Sequence, residues 1–297
     1  MASRKSWHVL YGYGIMTEAC NEVIIMVGQR ISIQSSGGVQ IPLDLYIPEV
    51  TEEIDENIRR PAVVICPGGG YRFLSRREAE PIALRFAAAG FNAFVVWYRV
   101  APNRYPLPQQ DAAAAVAYVR AHAGTMHTDP DRIAIMGFSA GGHLAGSLGT
   151  LWHRGELWQE MGLEPKQVRP NAMVLCYPVI SGGECAHRGS FENLTGSQDT
   201  SLHLEYSVEG WVTENAPPAF LWHTFEDKSV PVQNSLLMAQ ALSKLNILTE
   251  LHVFPFGGHG LSLCDEQTSG VRNPHYVLPD NAVWMNMAQG FLKKVMV

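Results

Sequence analysis

Cysteine is scarce in this chain, and none of it is paired in sequence. Five cysteines (Cys20, Cys66, Cys176, Cys185, Cys264) are scattered through 297 residues, an odd number with no C-x-x-C pair. That argues against a disulfide framework and a cysteine zinc site, and it fits a reducing compartment. Basic charge is also short. Lys and Arg number 22 against 28 Asp and Glu, a net charge of -6, so there is no electrostatic footprint for nucleic acid. No apolar run approaches the roughly 18 residues that a transmembrane helix needs. The opening stretch "MASRKSWHVLYGYGIMTEACNEVIIMVG" has two early cations, but polar residues interrupt the sequence after them, which makes a poor signal peptide. These absences lead us to expect a soluble cytoplasmic protein with no nucleic-acid or membrane partner.

What is present is alternation. Apolar residues make up 46% of the chain, enough for a sizeable core and too many for disorder. "RISIQ" (30–34) and "IPLDLYIP" (41–48) alternate apolar with polar, as half-buried antiparallel edge strands do. Near-continuous apolar runs come next: "AVVIC" (62–66), "NAFVVWY" (92–98), "RIAIMG" (132–137), "AMVLCYP" (172–178), "AFLWHT" (219–224) and "ELHVFP" (250–255). Strands buried on both faces read this way. Helix patterns such as "REAEPIALRFAAAG", "PQQDAAAAVAYVRAHAG" and "VQNSLLMAQALSKLN" separate them. The order predicts an α/β fold: a mostly parallel eight-stranded sheet with helices on both faces, in one domain over 1–297. Residues 51–60 read as a solvated connection. Residues 180–216 and 261–280 are long and rich in Gly, Ser, Asn and Pro, and loops of that length in a compact domain usually serve function.

The chemistry starts at "RIAIMGFSAGGHLAG" (132–146), where Ser139 sits in a G-x-S-x-G pattern between a strand run and a small-residue helix. That context makes the pentapeptide a nucleophile elbow. A serine hydroxyl is a weak nucleophile and needs a base, with a third group to orient it. The oxyanion formed on attack needs fixed N–H donors, one of which is worth roughly 3 to 4 kcal/mol. The amide of Ala140, next in sequence, is one candidate donor. A second should come from "PGGGY" (67–71), directly after an earlier strand, where Gly69 and Gly70 leave free N–H groups as in the H-G-G-G loops of esterases. Here Pro67 stands where that motif carries histidine. "FEDKSVPV" offers Asp227 as the acid, with Glu226 beside it, and "FGGHGLSL" offers His259 as the base. The order Ser, Asp, His is that of the α/β-hydrolases.

On "CPGGGY", "REAEPIA", "YRVAP", "DPDRIAIMGFSAGGHLA", "PPAFLWHTFEDKSVPVQNS" and "ELHVFPFGGHGLSL", from about Val39 onward, the chain resembles the α/β-hydrolase superfamily. Within it the resemblance is to small bacterial acetyl esterases and acetylxylan esterases. It implies an α/β-hydrolase fold, with Ser139 as nucleophile, Asp227 as acid and His259 as base. It also implies oxyanion donors at Gly69 or Gly70 and Ala140. The activity implied is hydrolysis of short acyl esters of acetylated sugars through an acyl-enzyme. Neither His143 nor His223 is paired at metal-ligand spacing with another His or Cys, so no metal site is expected, and no cofactor is expected either.

Other residues admit plainer roles. His143 lies four residues beyond Ser139 on one helix, where a packed or hydrogen-bonded histidine is the simpler expectation, and His223 ends a strand. Cys66 has no basic neighbour in sequence and reads as a buried thiol. Tyr71, Trp211 and Trp284 lie near the catalytic loops or in the long segments, and their faces suit sugar rings, although most such residues pack. Arg99 in "YRVAP" either closes over the site or forms a structural ion pair. Two further functions remain open. One is a serine peptidase or amidase on the same scaffold, which usually carries a gating domain that the region before Val39 is too short to supply. The other is a non-catalytic interaction protein, whose mark is loss of the serine or histidine.

Overall fold

Apolar β-branched runs are stable as strands only when both sheet faces are covered, and the intervening helix patterns supply the cover. In the computed structural model, which describes residues 28–270 and 273–297, the runs become eight strands. They are β1 (Gln29–Gln34), β2 (Gln40–Tyr46), β3 (Arg60–Cys66), β4 (Asn92–Val96), β5 (Thr128–Phe138), β6 (Ala172–Cys176), β7 (Ala219–Thr224) and β8 (Thr249–Phe254). The stretch up to residue 27, including Cys20, lies outside the described residues, so the signal-peptide expectation concerns residues not described.

The sheet order is β1-β2-β4-β3-β5-β6-β7-β8. β2 pairs antiparallel with β1 and with β4, and every later pairing is parallel. From β3 the chain steps outward to β4, then returns past β3 to β5. The loops leaving β3 and β5 therefore part at their carboxyl ends, where open α/β sheets bind ligands. The "PGGGY" loop follows β3 and Ser139 follows β5, so this topology brings the two together.

Alternate strand residues serve opposite faces, as the period of two requires. Val64, Ile135 and Leu175 join a core beneath helices α2 (Leu107–Ala121) and α3 (Ala140–Leu151). Val63, Met136 and Val174 join the core on the other face, with α1 (Glu80–Ala88) and the helix Trp284–Val295. Among the described residues, no helix is long and apolar enough to cross a membrane.

Three expectations need adjusting. β2 is not an edge strand, since it is paired on both sides and its last residues are buried. β8 is less buried than its apolar run predicts, because it closes the far edge of the sheet and has a neighbour on one side only. Residues 180–216 are not open loop: they carry the helices Arg188–Thr195 and Thr200–Glu205. Of the two roles open to Arg99, the structural one holds, pairing at 2.7 Å with the fully buried Asp111 and donating to Ser36 at 2.7 Å.

Candidate active site

The turn after β5 holds Ser139 at φ 53°, ψ -120°. A positive φ on a non-glycine residue costs about 1–3 kcal/mol and persists only where surrounding contacts impose it. Here they do. The Ser139 amide donates to the Cys176 carbonyl at 3.0 Å, and the Ser139 carbonyl accepts from Gly142 at 2.9 Å and Val179 at 3.0 Å. Position 141 has no room for a side chain, because a Cβ there would overlap the carbonyl of Cys66. The second glycine of the pattern therefore lets α3 start against the end of β3.

The structure brings Ser139, His259 and Asp227 together. His259 Nε2 lies 2.7 Å from Ser139 Oγ, and its Nδ1 lies 2.6 Å from Asp227 Oδ2. Asp227 is buried, and its Oδ1 accepts from the backbone amides of Ser229 at 3.0 Å and Val230 at 2.9 Å. Burial alone would raise this carboxyl. Hydrogen bonds from His223 and His259 outweigh it and hold Asp227 well below the usual carboxylate range. Asp227 is thus a fixed anion that accepts a hydrogen bond from Nδ1–H, which leaves Nε2 free to accept from the Ser139 hydroxyl. His223 is buried in support: its Nδ1 meets Ser235 Oγ at 2.8 Å, and its Nε2 lies 2.8 Å from the Val230 carbonyl and 3.4 Å from Asp227 Oδ2. Glu226 points elsewhere. It is exposed and accepts from the Gly257 amide at 3.0 Å, tying down the loop that carries His259.

The glycine loop after β3 is held without the histidine that related loops carry. Tyr98 donates its hydroxyl to the Pro67 carbonyl at 2.6 Å, and the Gly68 amide donates to Glu78 Oε2 at 2.9 Å. Gly69 sits at φ 133°, a conformation only glycine takes readily. Among the described residues, no protein acceptor meets the amides of Gly69, Gly70 or Ala140. Gly69 and Gly70 line the same cleft as Ser139, and Ala140 follows Ser139 in sequence.

Glu78 is a site residue that its sequence does not mark. Its buried carboxylate also accepts from the Tyr177 hydroxyl at 2.7 Å, and Tyr177 in turn accepts from the Ser262 amide at 2.9 Å. One side chain therefore ties the glycine loop to the segment after His259. Replacing Glu78 with alanine leaves two buried donors unpaired, which we expect to cost about 2–4 kcal/mol in urea unfolding and at least about tenfold in kcat. Glu78→Gln should recover part of both losses, since the amide oxygen can serve one donor. Full activity in Glu78→Ala would mean that the glycine loop needs no such support.

A cavity of about 460 Å³ opens over Ser139 and His259. The three aromatic candidates do not reach it. Tyr71 is buried, with its hydroxyl 2.9 Å from His143 Nδ1. Trp284 is fully buried, stacked on Trp222 at 5.0 Å, with its indole N–H on the Ser262 carbonyl. Trp211 packs against Tyr105 and Tyr206. His143 is a packing residue, its second nitrogen 2.8 Å from the Tyr206 carbonyl, and burial pushes it down to about 4. Cys66 is likewise buried, which pushes its thiol up. What does line the cavity from 180–216 is His187, Gly189 and Asn193. Segment 261–280 supports from behind through Ser262.

Residues 43–242 match the BD-FAE family model. The chain belongs to the BD-FAE family. Its sheet and its structural likeness are those of the α/β-hydrolase superfamily. Among curated relatives of this BD-FAE chain, endo-1,4-beta-xylanase B of Butyrivibrio fibrisolvens is 36% identical over 230 residues, covering 75% of this chain and 36% of that protein. The acetylxylan esterase of Xylanibacter ruminicola is 33% identical over 214 residues, covering 70% of this chain and 42% of that protein. The chain thus spans about two fifths of the length of these relatives. Among solved structures, the acetyl ester-xyloside bifunctional hydrolase from Caldicellulosiruptor lactoaceticus superposes with a TM-score of 0.78 at 35% identity. That match covers 92% of this chain and 98% of the other.

Proposed function

We propose that this protein is a serine carboxylesterase that removes short acyl groups, acetyl first, from acetylated sugars such as xylo-oligosaccharides. The observation that carries the reading is the hydrogen-bonded chain from Ser139 Oγ through His259 to Asp227, at 2.7 and 2.6 Å, opening into a cleft. In this mechanism His259 Nε2 takes the hydroxyl proton as Ser139 Oγ attacks the ester carbonyl. Asp227 stabilises the imidazolium, and the amide of Ala140 with that of Gly69 or Gly70 receives the oxyanion. Collapse breaks the ester bond, and the alcohol leaves with the proton from His259. Water then attacks the acyl-enzyme with His259 as base, which releases the acid and restores the serine.

Support for a hydroxyl-rich substrate comes from the walls and from the relatives. Arg72, Ser75, Asn193 and Ser229 line the cleft, and among the described residues Phe73 is the one large apolar side chain lining it. The names of the relatives speak of xylan and acetyl esters. Free Cys66, Cys176, Cys185 and Cys264 support a cytoplasmic location.

Acyl length is the test. Among the described residues that line the cleft none forms an apolar trough for a fatty chain, and a methylene that fits is worth only about 1–3 kcal/mol, whereas one that clashes is penalised. On aryl esters kcat/KM should peak at acetyl or propionyl and fall at least about tenfold beyond butyryl. Acetate should also be released from acetylated xylo-oligosaccharides. A kcat/KM that climbs through octanoyl would replace this reading with a lipase-like one. Amide hydrolysis without ester hydrolysis would favour a peptidase.

A further inference from the structure

A second histidine faces the cleft and takes no part in the proton transfers described above. His187 immediately precedes the helix Arg188–Thr195 and lines the same cavity as Ser139 and His259. Its Nδ1 lies 2.8 Å from the Oγ of Ser190, a residue only 1% exposed. Among the described residues no other acceptor meets that buried hydroxyl, so Ser190 donates to Nδ1. The proton of the neutral ring is then on Nε2. Burial holds this imidazole below its ordinary basicity, and His259 adds to the effect.

The ring is also fixed relative to the glycine loop. Asn193 Nδ2, on the helix that begins just after His187, donates to the Gly70 carbonyl at 2.8 Å. A Cβ built on Gly70 would stand 3.7 Å from Ser190 Oγ and 3.9 Å from His187 Cε1. His187 therefore holds a set position beside the candidate oxyanion amides. Among the described residues its Nε2 has no hydrogen-bond partner, although the ring is half-buried.

We propose that His187 is a specificity-determining residue whose Nε2–H donates a hydrogen bond to an oxygen on the alcohol side of the substrate, a sugar hydroxyl or ring oxygen near the scissile ester. The inference rests on the reading of the site as an esterase for acetylated sugars. Elimination assigns the side. An acetyl group ends in a methyl, which accepts nothing, and its carbonyl oxygen is already met by backbone amides. Only the sugar brings further acceptors. A neutral donor suits the position, because a second cation there would oppose the His259 imidazolium formed during turnover. An alcohol that cannot accept leaves the N–H unmatched, and a site built to bond a hydroxyl discriminates strongly against a substrate that lacks it.

The experiment compares kcat/KM for an acetylated xyloside with kcat/KM for an aryl acetate, in wild type and in His187→Phe, His187→Gln and Ser190→Ala. In His187→Phe the sugar-to-aryl ratio should fall about tenfold or more, chiefly through a higher KM for the sugar acetate, as loss of one well-placed hydrogen bond implies. His187→Gln keeps an N–H donor and should regain much of the ratio. Ser190→Ala frees the ring to place its proton on either nitrogen and should fall between them. Equal losses on both substrates would overturn the inference, since a structural or oxyanion role moves them together. Wild type that cleaves both substrates, with a ratio unmoved by any variant, would overturn the role of His187 and leave the esterase reading standing. Wild type that hydrolyses the aryl acetate and no sugar acetate would overturn both. If His187→Phe does not fold, an unmoved ratio in Ser190→Ala decides against the proposal.

Discussion

Ser139→Ala lowers turnover by roughly 10⁴-fold or more while the protein stays folded, because a nucleophile, its base and the orienting acid act as a unit. The fold tolerates the change for a local reason. The contacts that impose the positive φ at this position are all main-chain: the bond to Cys176 and those from Gly142 and Val179. Removing Oγ removes none of them. His259 Nε2 loses one partner, but it borders an open cleft where water can replace it. The residual rate comes from the oxyanion amides and from binding alone. Two measurements check this: kcat/KM on an aryl acetate, and peptide mapping after a serine-directed phosphonate. The label should sit on Ser139 in wild type and be absent from the variant. A label mapped to another serine ends the assignment.

Much of this was legible in the sequence, because each legible feature is local. A run such as "AVVIC" announces a strand covered on both faces, and a glycine-flanked serine after such a run announces a strained turn. Ser139, Asp227 and His259 each lie in a short loop at the end of a strand, and parallel strands deliver all their carboxyl ends to one edge. Order along the chain therefore carries over into proximity. The expectation for β8 fails because composition reports how apolar a run is and not whether a neighbour covers it. Glu78 escapes a reading of the sequence because its two partners, the Gly68 amide and the Tyr177 hydroxyl, come from separate loops, and Ser262 joins only through Tyr177. Nothing in "REAEPIA" says which carboxylate turns inward. His187 sits in a segment distinguished only by its length, and its hydrogen bond to Ser190 shows in the sequence as no more than a three-residue spacing. The aromatics fail for the opposite reason. A tryptophan near a catalytic loop in sequence has one large surface to bury, and Trp284 buries it against Trp222.

The acid gives the second large effect, with a control beside it in the chain. In Asp227 the two oxygens do different work: Oδ1 accepts from the Ser229 and Val230 amides, and Oδ2 faces His259 Nδ1. In Asp227→Asn the amide oxygen is drawn to the two backbone donors, since a carboxamide NH2 there would face N–H groups. The NH2 is then presented to His259 Nδ1. It can only donate, so Nδ1 becomes the acceptor and the ring proton moves to Nε2. An imidazole protonated at Nε2 cannot take the proton of Ser139. The stereochemistry stays intact and the tautomer is wrong, which costs at least about 10³-fold in kcat. Glu226→Gln has none of this consequence. The Glu226 side chain is exposed, its one bond is from the Gly257 amide, and a glutamine oxygen accepts that bond equally well. Its effect on kcat should stay within about threefold, as for a surface change that keeps its contact. The two variants assayed side by side on an aryl acetate decide the matter. If Glu226→Gln is the crippled one, the carboxylate that orients His259 in solution is Glu226, and the 2.6 Å contact with Asp227 is not the one that functions.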